Sequence, residues 1–227
     1  MLSSLRYGAP RRASKALALA LFCVAAPVAA AAETVIAALG DSLTQGYGLP
    51  QEEGFVPQMQ GWLDARGADV RLVNAGVSGD TTAGGLARVD WTLTPEVDGM
   101  IVALGGNDLL RGIDPAVSRE NLDGILAAAE ARDLPVLLVG LEASGNYGPD
   151  YKAAFDAMYP ELAERYGTLY VENFLAPILG EGDPSAARRF LQPDGIHPNA
   201  EGVARIVEAL GPHVLALAEK ARDSGEG

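Results

Sequence analysis

The chain contains two histidines, and one of them stands in Asp194-Gly195-Ile196-His197-Pro198, downstream of Gly40-Asp41-Ser42-Leu43, Ser78-Gly79-Asp80 and Gly105-Gly106-Asn107-Asp108. Taken in order, these fragments hold the parts of a nucleophilic acyl transfer: a hydroxyl, a base, an acid to orient the base, and donors for a developing oxyanion. A serine hydroxyl is a weak nucleophile at neutral pH, so Ser42 needs a base. His197 has an acid three residues before it across Gly195, which lets one loop fold the Asp194 carboxylate against the second ring nitrogen, fix the tautomer and stabilise the imidazolium. His213 follows Gly211-Pro212 inside a helical apolar pattern without such an acid and reads as a structural or surface residue.

Acyl transfer places negative charge on the former carbonyl oxygen. The backbone N–H of Gly79 allows close approach to it, the Asn107 amide offers a second donor and the backbone N–H of Ser42 a third. Each fragment alone reads equally well as a turn, because glycine, asparagine and aspartate favour turns wherever they occur; the ordered combination points to chemistry. Ser78 is the other serine that could act as nucleophile, and Ser144 follows a later apolar run, but neither has the glycine-aspartate context of Ser42. No Gly-x-Ser-x-Gly elbow occurs, which argues against the ordinary α/β-hydrolase arrangement. Two distant histidines and a single cysteine, Cys23, give no zinc-binding pattern. Neither a metal nor an organic cofactor is expected, although carboxylates alone could still hold a cation.

These residues must be positioned by a chain whose first part reads differently. Arg6, Arg11, Arg12 and Lys15 precede an apolar run from Ala16 to Ala26, and Pro27-Val28-Ala29-Ala30-Ala31-Ala32 offers small-residue cleavage sites. Residues 1–32 are therefore read as a secretory signal peptide, cleaved after Ala31 or Ala32. The apolar run is shorter than the roughly 20 residues that span a bilayer, no Phe-Leu follows the arginine pair as twin-arginine export would want, and Phe22 precedes Cys23 where lipidation wants a small residue. Residues 33–227 would form a single domain, periplasmic or secreted, with no cysteine and no membrane span. The whole chain carries 17 basic and 30 acidic residues; without the four leader cations the balance is 13 against 30, or −17. Such acidity excludes a nucleic-acid surface and disfavours adsorption to anionic lipid headgroups, while leaving room for a pocket that takes one acyl chain. Oligomeric state is not encoded in any pattern of this sequence.

Short apolar runs at 35–39, 70–75, 100–104, 135–141 and 168–172 read as strands, the first three as buried ones, each of these leaving through glycine-bearing turns. Phe55, Met59, Trp62 and Leu63 have helical spacing, and further helices are expected over 121–132, 150–166 and 199–221, the last interrupted at Gly211-Pro212. Strand alternating with helix predicts an α/β fold: a three-layer α/β/α sandwich on a parallel sheet of about five strands. In such sheets functional groups gather at the carboxyl ends of the strands. Ser42, Gly79 and Asn107 follow the first, second and third predicted strands, so residues remote in sequence would meet on one rim. No repeat is present, and 223–227 reads as a frayed tail.

The four fragments together resemble the blocks of the SGNH, or GDSL, hydrolase family, whose fold is flavodoxin-like. On that resemblance Ser42 is the nucleophile, Gly79 and Asn107 complete the oxyanion hole, and His197 works with Asp194. Gly-Asp-Ser-Leu-Thr-Gln-Gly-Tyr-Gly, Ser-Gly-Asp-Thr-Thr and Gly-Gly-Asn-Asp-Leu-Leu-Arg-Gly, with Asn146-Tyr147-Gly148 and Tyr159-Pro160, are similar to the thioesterase I, lysophospholipase and arylesterase subgroup. The resemblance implies a carboxylic ester hydrolase that forms an acyl-enzyme, with a small acyl-ester or lipid substrate. It also implicates the loop after the third block in substrate binding, here Asp108, Leu109, Leu110, Arg111, Gly112 and Ile113. Export would separate the enzyme from acyl-CoA and favour lipid, aryl or alkyl esters. A carbohydrate O-acetylesterase is the alternative within hydrolases, and a non-catalytic lipid or glycan carrier the alternative outside them.

Overall fold

The computed structural model describes residues 33–179 and 187–225, together with Met1 and Gly8. The proposed leader lies outside the described residues apart from those two, and the folded domain is the unit Glu33–Gly227. Its centre is a parallel sheet of β1 (Thr34–Gly40), β2 (Val70–Gly76), β3 (Gly99–Ala103), β4 (Val136–Val139) and β5 (Leu169–Val171) in the order β2-β1-β3-β4-β5. The expected α/β architecture with five parallel strands is what the chain adopts. The interior strands β1, β3 and β4 are buried along their whole length, as their unbroken Val, Ile, Leu and Ala runs require. The second strand differs from expectation. It lies at the sheet edge and is half-buried beyond Val70, because only one neighbour covers it and its polar Arg71 and Asn74 can reach solvent.

Helices α1 (Ser42–Gln45), α2 (Phe55–Asp64), α3 (Thr82–Thr92), α4 (Gly106–Arg111), α5 (Pro115–Glu130), α6 (Pro149–Tyr166), α7 (Ala176–Leu179) and α8 (Ala200–Gly225) complete the domain. The set α3, α5 and α6 packs together, while α2 and α7 pack with α8, which also contacts four of the strands. Right-handed crossovers produce this division into two helical layers around a sheet.

Three of the longer helices depart from the sequence reading. The α3 segment, Thr-Ala-Gly-Gly-Leu-Ala-Arg, has too few apolar residues to announce a helix. It is held instead by tertiary contacts: Asp108 accepts the Thr82 backbone N–H at 2.8 Å, and Gly85 lies so close to the core that a β-carbon there would fall 2.2 Å from a Leu104 methyl. The expected break in the last helix does not occur. α8 continues through Pro212, because Val203, Ile206, Val207, Leu210, Val214, Leu217 and Ala218 form one buried stripe across it. A proline inside a helix costs about 3 kcal/mol, whereas burying each large apolar side chain of that stripe returns about 1.5–3 kcal/mol. α5 also starts earlier than its alanine-leucine run suggests, at Pro115, with Asp114 capping the Ala116 N–H.

The register of the sheet decides where the strand exits lie. Gly40 at the end of β1 is paired with Gly76 of β2 and with Ala103 of β3. Three strands therefore end level, at the point where the strand order reverses around β1, and their exit turns open side by side.

Candidate active site

Each exit turn carries one polar group to the same place. After Gly40, Asp41 caps the single turn of α1 by accepting the Leu43 N–H at 3.0 Å, which sets Ser42 at the first helical position, and Gly46 closes the turn in the left-handed conformation (φ 89°). After β2, Gly79 adopts φ 84°, a conformation that L side chains rarely take. After β3, Gly105 takes φ 120° and lies where a β-carbon would strike the Tyr159 hydroxyl at 2.2 Å. That turn starts α4 and delivers Asn107. Ser42, Gly79 and Asn107 all line one cavity of about 310 Å³.

His197 reaches the cavity from the other end of the sequence. Its loop is pinned where Gln192 donates to the Tyr47 and Pro198 carbonyls at 2.8 and 2.9 Å, and where the Gln192 N–H donates to the His197 carbonyl at 2.7 Å. The Tyr47 ring lies against the imidazole, centroids 4.7 Å apart. His197 Nδ1 is 2.6 Å from Asp194 Oδ2, and Nε2 is 2.9 Å from Ser42 Oγ. With the carboxylate accepting Nδ1–H, Nε2 presents a lone pair that accepts the serine hydroxyl proton. Asp194 also accepts the backbone N–H groups of Ile196 and His197 at 2.9 and 3.0 Å. The hydrogen bond from His197, followed by those from the two backbone N–H groups, holds the Asp194 carboxyl down at about 2. This arrangement can transfer the Ser42 proton to the imidazole as the oxygen attacks a carbonyl carbon.

The donors expected at an oxyanion lie at the same cavity. The Ser42 and Gly79 N–H groups find no acceptor among the described residues. Asn107 Nδ2 donates to the Asp80 carbonyl at 2.9 Å and lies 3.4 Å from Asp41 Oδ2. That second contact is long, so one amide proton is only weakly held at the cavity wall.

The loop residues expected to bind substrate divide into two groups. Leu109 and Leu110 line the cavity. Asp108 does not: its side chain is wholly buried and accepts the Thr82 N–H, the Thr82 hydroxyl and the Ser118 hydroxyl at 2.8, 2.6 and 3.0 Å. Arg111 donates to the Gly79 carbonyl at 2.7 Å, Gly112 ends α4 with φ 62°, and the Ile113 carbonyl accepts the Tyr151 hydroxyl at 3.0 Å; none of these three lines the cavity. Of the other candidates, Ser78 lines the cavity but its hydroxyl donates to Gln45 Oε1 at 2.9 Å, and His213 is exposed on α8.

Sequence reasoning gave no role to Asp41, Leu43, Tyr47, Leu141, Glu142, Leu175 or Ile196, which with Gly106 complete the lining. For Asp41 a signal existed, since it stands inside the first motif. Burial raises its carboxyl to about 6, a rise that the Leu43 N–H and the nearby His197 oppose and Asp108 reinforces. The leucines gave no signal, as an apolar residue in a loop announces nothing about what it faces. A larger cavity of about 410 Å³, among Leu126, Val136 and Lys220, opens at the amino ends of β4 and β5 and contains none of these groups. Among the described residues, no cluster of three or more His, Cys, Asp or Glu side chains could hold a metal ion, and no helix is long and apolar enough to cross a membrane.

Comparison with known proteins places this arrangement in context. Residues 38–205 match the GDSL-like Lipase/Acylhydrolase family. The chain is 40% identical over 189 residues to the protein named Esterase TesA of Pseudomonas aeruginosa, an alignment covering 83% of this chain and 90% of that one. It is 34% identical over 198 residues to Thioesterase 1/protease 1/lysophospholipase L1 of Escherichia coli K12, covering 87% and 91%. The crystal structure of the psychrotrophic esterase EstA from Pseudoalteromonas sp., inhibited by monoethylphosphonate, superposes with a TM-score of 0.74 at 30% identity, covering 81% of this chain and 97% of that one.

Proposed function

The chain belongs to the GDSL-like lipase/acylhydrolase family, a serine hydrolase of carboxylic esters, and from that premise we propose that Ser42 is its nucleophile, His197 its general base and acid, and Asp194 the group that orients the histidine. The observation that carries this reading is the unbroken line from Ser42 Oγ through the imidazole to Asp194, with separations of 2.9 and 2.6 Å. In the reaction Ser42 Oγ adds to the ester carbonyl as its proton passes to His197 Nε2. The Ser42 and Gly79 N–H groups and the Asn107 amide receive the oxyanion. His197 then returns the proton to the leaving alcohol, and a water molecule activated by the same nitrogen releases the acid from the acyl-enzyme.

The substrate is a small ester or lipid whose acyl or aryl group is apolar. Leu43, Leu109, Leu110, Leu141, Leu175 and Ile196 surround the nucleophile and would welcome a hydrocarbon segment. An acetylated sugar would need several polar partners, and beyond the reacting groups the wall offers the side chains of Asp41, which is itself buried, Ser78, Tyr47 and Glu142. The lining thus favours an ester, lysophospholipid or thioester hydrolase over a carbohydrate O-acetylesterase, and the assembled set of reacting groups speaks against a mere carrier.

The basic and apolar leader supports export, with residues 1–32 removed as a signal peptide and residues 33–227 acting as one periplasmic or secreted domain. The function is tested with a fluorophosphonate probe and a nitrophenyl ester. Labelling on Ser42, lost in Ser42→Ala together with turnover, is expected; a folded wild type that neither labels nor turns over the ester would sink the reading.

A further inference from the structure

Arg88 lies on α3, touches no group that reacts, and lines no part of the cavity. Its guanidinium nevertheless meets three acceptors at the strand exits. Nε donates to Asp80 Oδ2 at 2.7 Å, Nη1 to the Ala75 carbonyl at 2.6 Å and Nη2 to the Gly40 carbonyl at 2.8 Å. Gly40 stands two residues before Ser42, and Asp80 directly follows Gly79. The Asp80 main-chain carbonyl in turn accepts Asn107 Nδ2 at 2.9 Å. We propose that Arg88 is a positioning residue, a clasp that keeps the nucleophile turn and two oxyanion donors in one register. The proposal rests on the roles assigned to Ser42, Gly79 and Asn107 in the proposed function.

Beyond Gly40 the parallel ladder between β1 and β2 has ended, and apart from Arg88 the two exits are tied by scattered single bonds: the Val77 N–H to the Gly40 carbonyl at 3.0 Å, and the Ser78 hydroxyl and Asn74 amide to Gln45 at 2.9 and 3.4 Å. The turns beyond it are short and glycine-bearing, so their own backbones resist displacement poorly. A planar fork with several donors fixed in one plane suits three acceptors converging from two strands; an ammonium group could not reach all of them in line. The ion pair with Asp80 is well sheltered, both side chains being about one-fifth exposed, so it is only weakly screened. Asp80 is the hinge of the arrangement. Its carboxylate is held by Arg88 and its carbonyl holds the amide, so the position of Asn107 depends on a residue that never approaches substrate.

A residue that only satisfied carbonyls would affect folding and leave the folded enzyme unchanged. A positioning residue affects the tetrahedral state more than the bound ester, and that difference can be measured. The experiment compares wild type, Arg88→Ala, Arg88→Lys and Asp80→Asn by kcat and KM on a soluble nitrophenyl ester, by inhibition with a boronic acid that forms a tetrahedral anion on Ser42, and by melting temperature. In Arg88→Ala, kcat is expected to fall about 10- to 100-fold with KM within about 3-fold, the scale set by displaced reacting groups and lost oxyanion donors. Boronate affinity should fall by the same factor as kcat, Arg88→Lys should recover part of it, and added guanidinium ion should recover part in Arg88→Ala.

An unchanged kcat in folded Arg88→Ala overturns the proposal, as does a loss that only mirrors the unfolded fraction while boronate affinity stays at the wild-type value. If Arg88→Ala does not fold, Arg88→Lys and Asp80→Asn decide: reduced kcat with matching loss of boronate affinity supports the clasp, and wild-type values in both overturn it. Failure of the wild type itself to cleave the ester or take the fluorophosphonate would instead remove the functional reading on which the proposal stands.

Discussion

Asp41 Oδ2 lies 3.4 Å from Asn107 Nδ2, so a buried carboxylate next to the proposed nucleophile faces the amide proposed to receive the oxyanion. Its other oxygen caps α1 through the Leu43 N–H. One side chain thus shapes the serine turn and faces the group that would receive negative charge. Its own charge is held at a cost in folding energy.

That cost gives the first prediction. Burial raises the Asp41 carboxyl from 3.8 to about 6. The folded state therefore holds this proton more tightly than the unfolded chain. The associated stability is complete below about pH 4 and is lost as pH rises towards 6. Asp41→Asn should remove that slope, so its melting temperature relative to wild type should climb between pH 4 and 6, with a gain on the order of 1–3 kcal/mol at pH 7. Turnover should fall about tenfold as the charged cap is lost. Calorimetry across this pH range with parallel kcat measurements checks both, and a pH-independent difference would refute the burial argument.

Asp194 gives the opposite sign. Its carboxyl is lowered to about 2 by the bonds from His197 and the loop backbone, so the stabilisation is present above about pH 4 and lost as pH falls towards 2. The side chain is 37% exposed, which keeps the contribution to stability small through solvent screening. Catalysis should feel the change far more: Asp194→Asn is expected to lower kcat on the order of 10⁴-fold by favouring the wrong imidazole tautomer. Steady-state kinetics beside an unchanged thermal melt would establish this, whereas a loss under tenfold would assign the orienting role elsewhere.

Removing the reacting groups themselves should produce a graded series. Ser42→Ala and His197→Ala should each lower kcat by about 10⁴- to 10⁶-fold, and the double variant by little more than either alone, since they act as one unit. Asn107→Ala should cost about 10²- to 10³-fold in kcat with modest change in KM. Single-turnover assays on a chromogenic ester separate these effects, and additive losses in the double variant would contradict a shared step.

Neighbouring residues in α4 should behave in unlike ways. Asp108→Ala leaves the Thr82 N–H and hydroxyl and the Ser118 hydroxyl without their buried acceptor, and should destabilise the fold by about 3–5 kcal/mol. Leu110→Ala, at an exposed position on the cavity rim, should leave the melt within about 0.5 kcal/mol of wild type while shifting preference among acyl chain lengths. A denaturation midpoint and a panel of nitrophenyl esters distinguish the two; equal stability losses would contradict the placement of Asp108.

This contrast also marks what the sequence could reveal. The strands were legible because short Val-, Ile- and Leu-rich runs alternating with helical patterns have few other solutions in an α/β chain, and the common rim because the first three leave through glycine-bearing turns. α3 was hidden because its helical state depends on Asp108 and on close approach of Gly85 to Leu104, contacts that no local pattern encodes. Around the cavity, Ser42, Gly79, Asn107 and His197 could be named in advance from their motifs, whereas Leu43, Leu141 and Leu175 could not, since a leucine in any turn or strand exit looks the same until something is seen opposite it. Asp108 illustrates the converse: a charged residue beside a functional motif invites a functional role, yet its three buried hydrogen bonds make it an anchor between α3 and α5.

Ser42 and His197 are separated by 155 positions, and the loop carrying the histidine leads into α8, which packs across the sheet. A ribosome that has released the first 190 residues has already made the hydroxyl and every proposed oxyanion donor, but no imidazole to work with them. On the roles proposed for these residues, hydrolytic competence therefore waits until the histidine loop and α8 have docked on the sheet. Until then the growing polypeptide is chemically silent toward the esters around it.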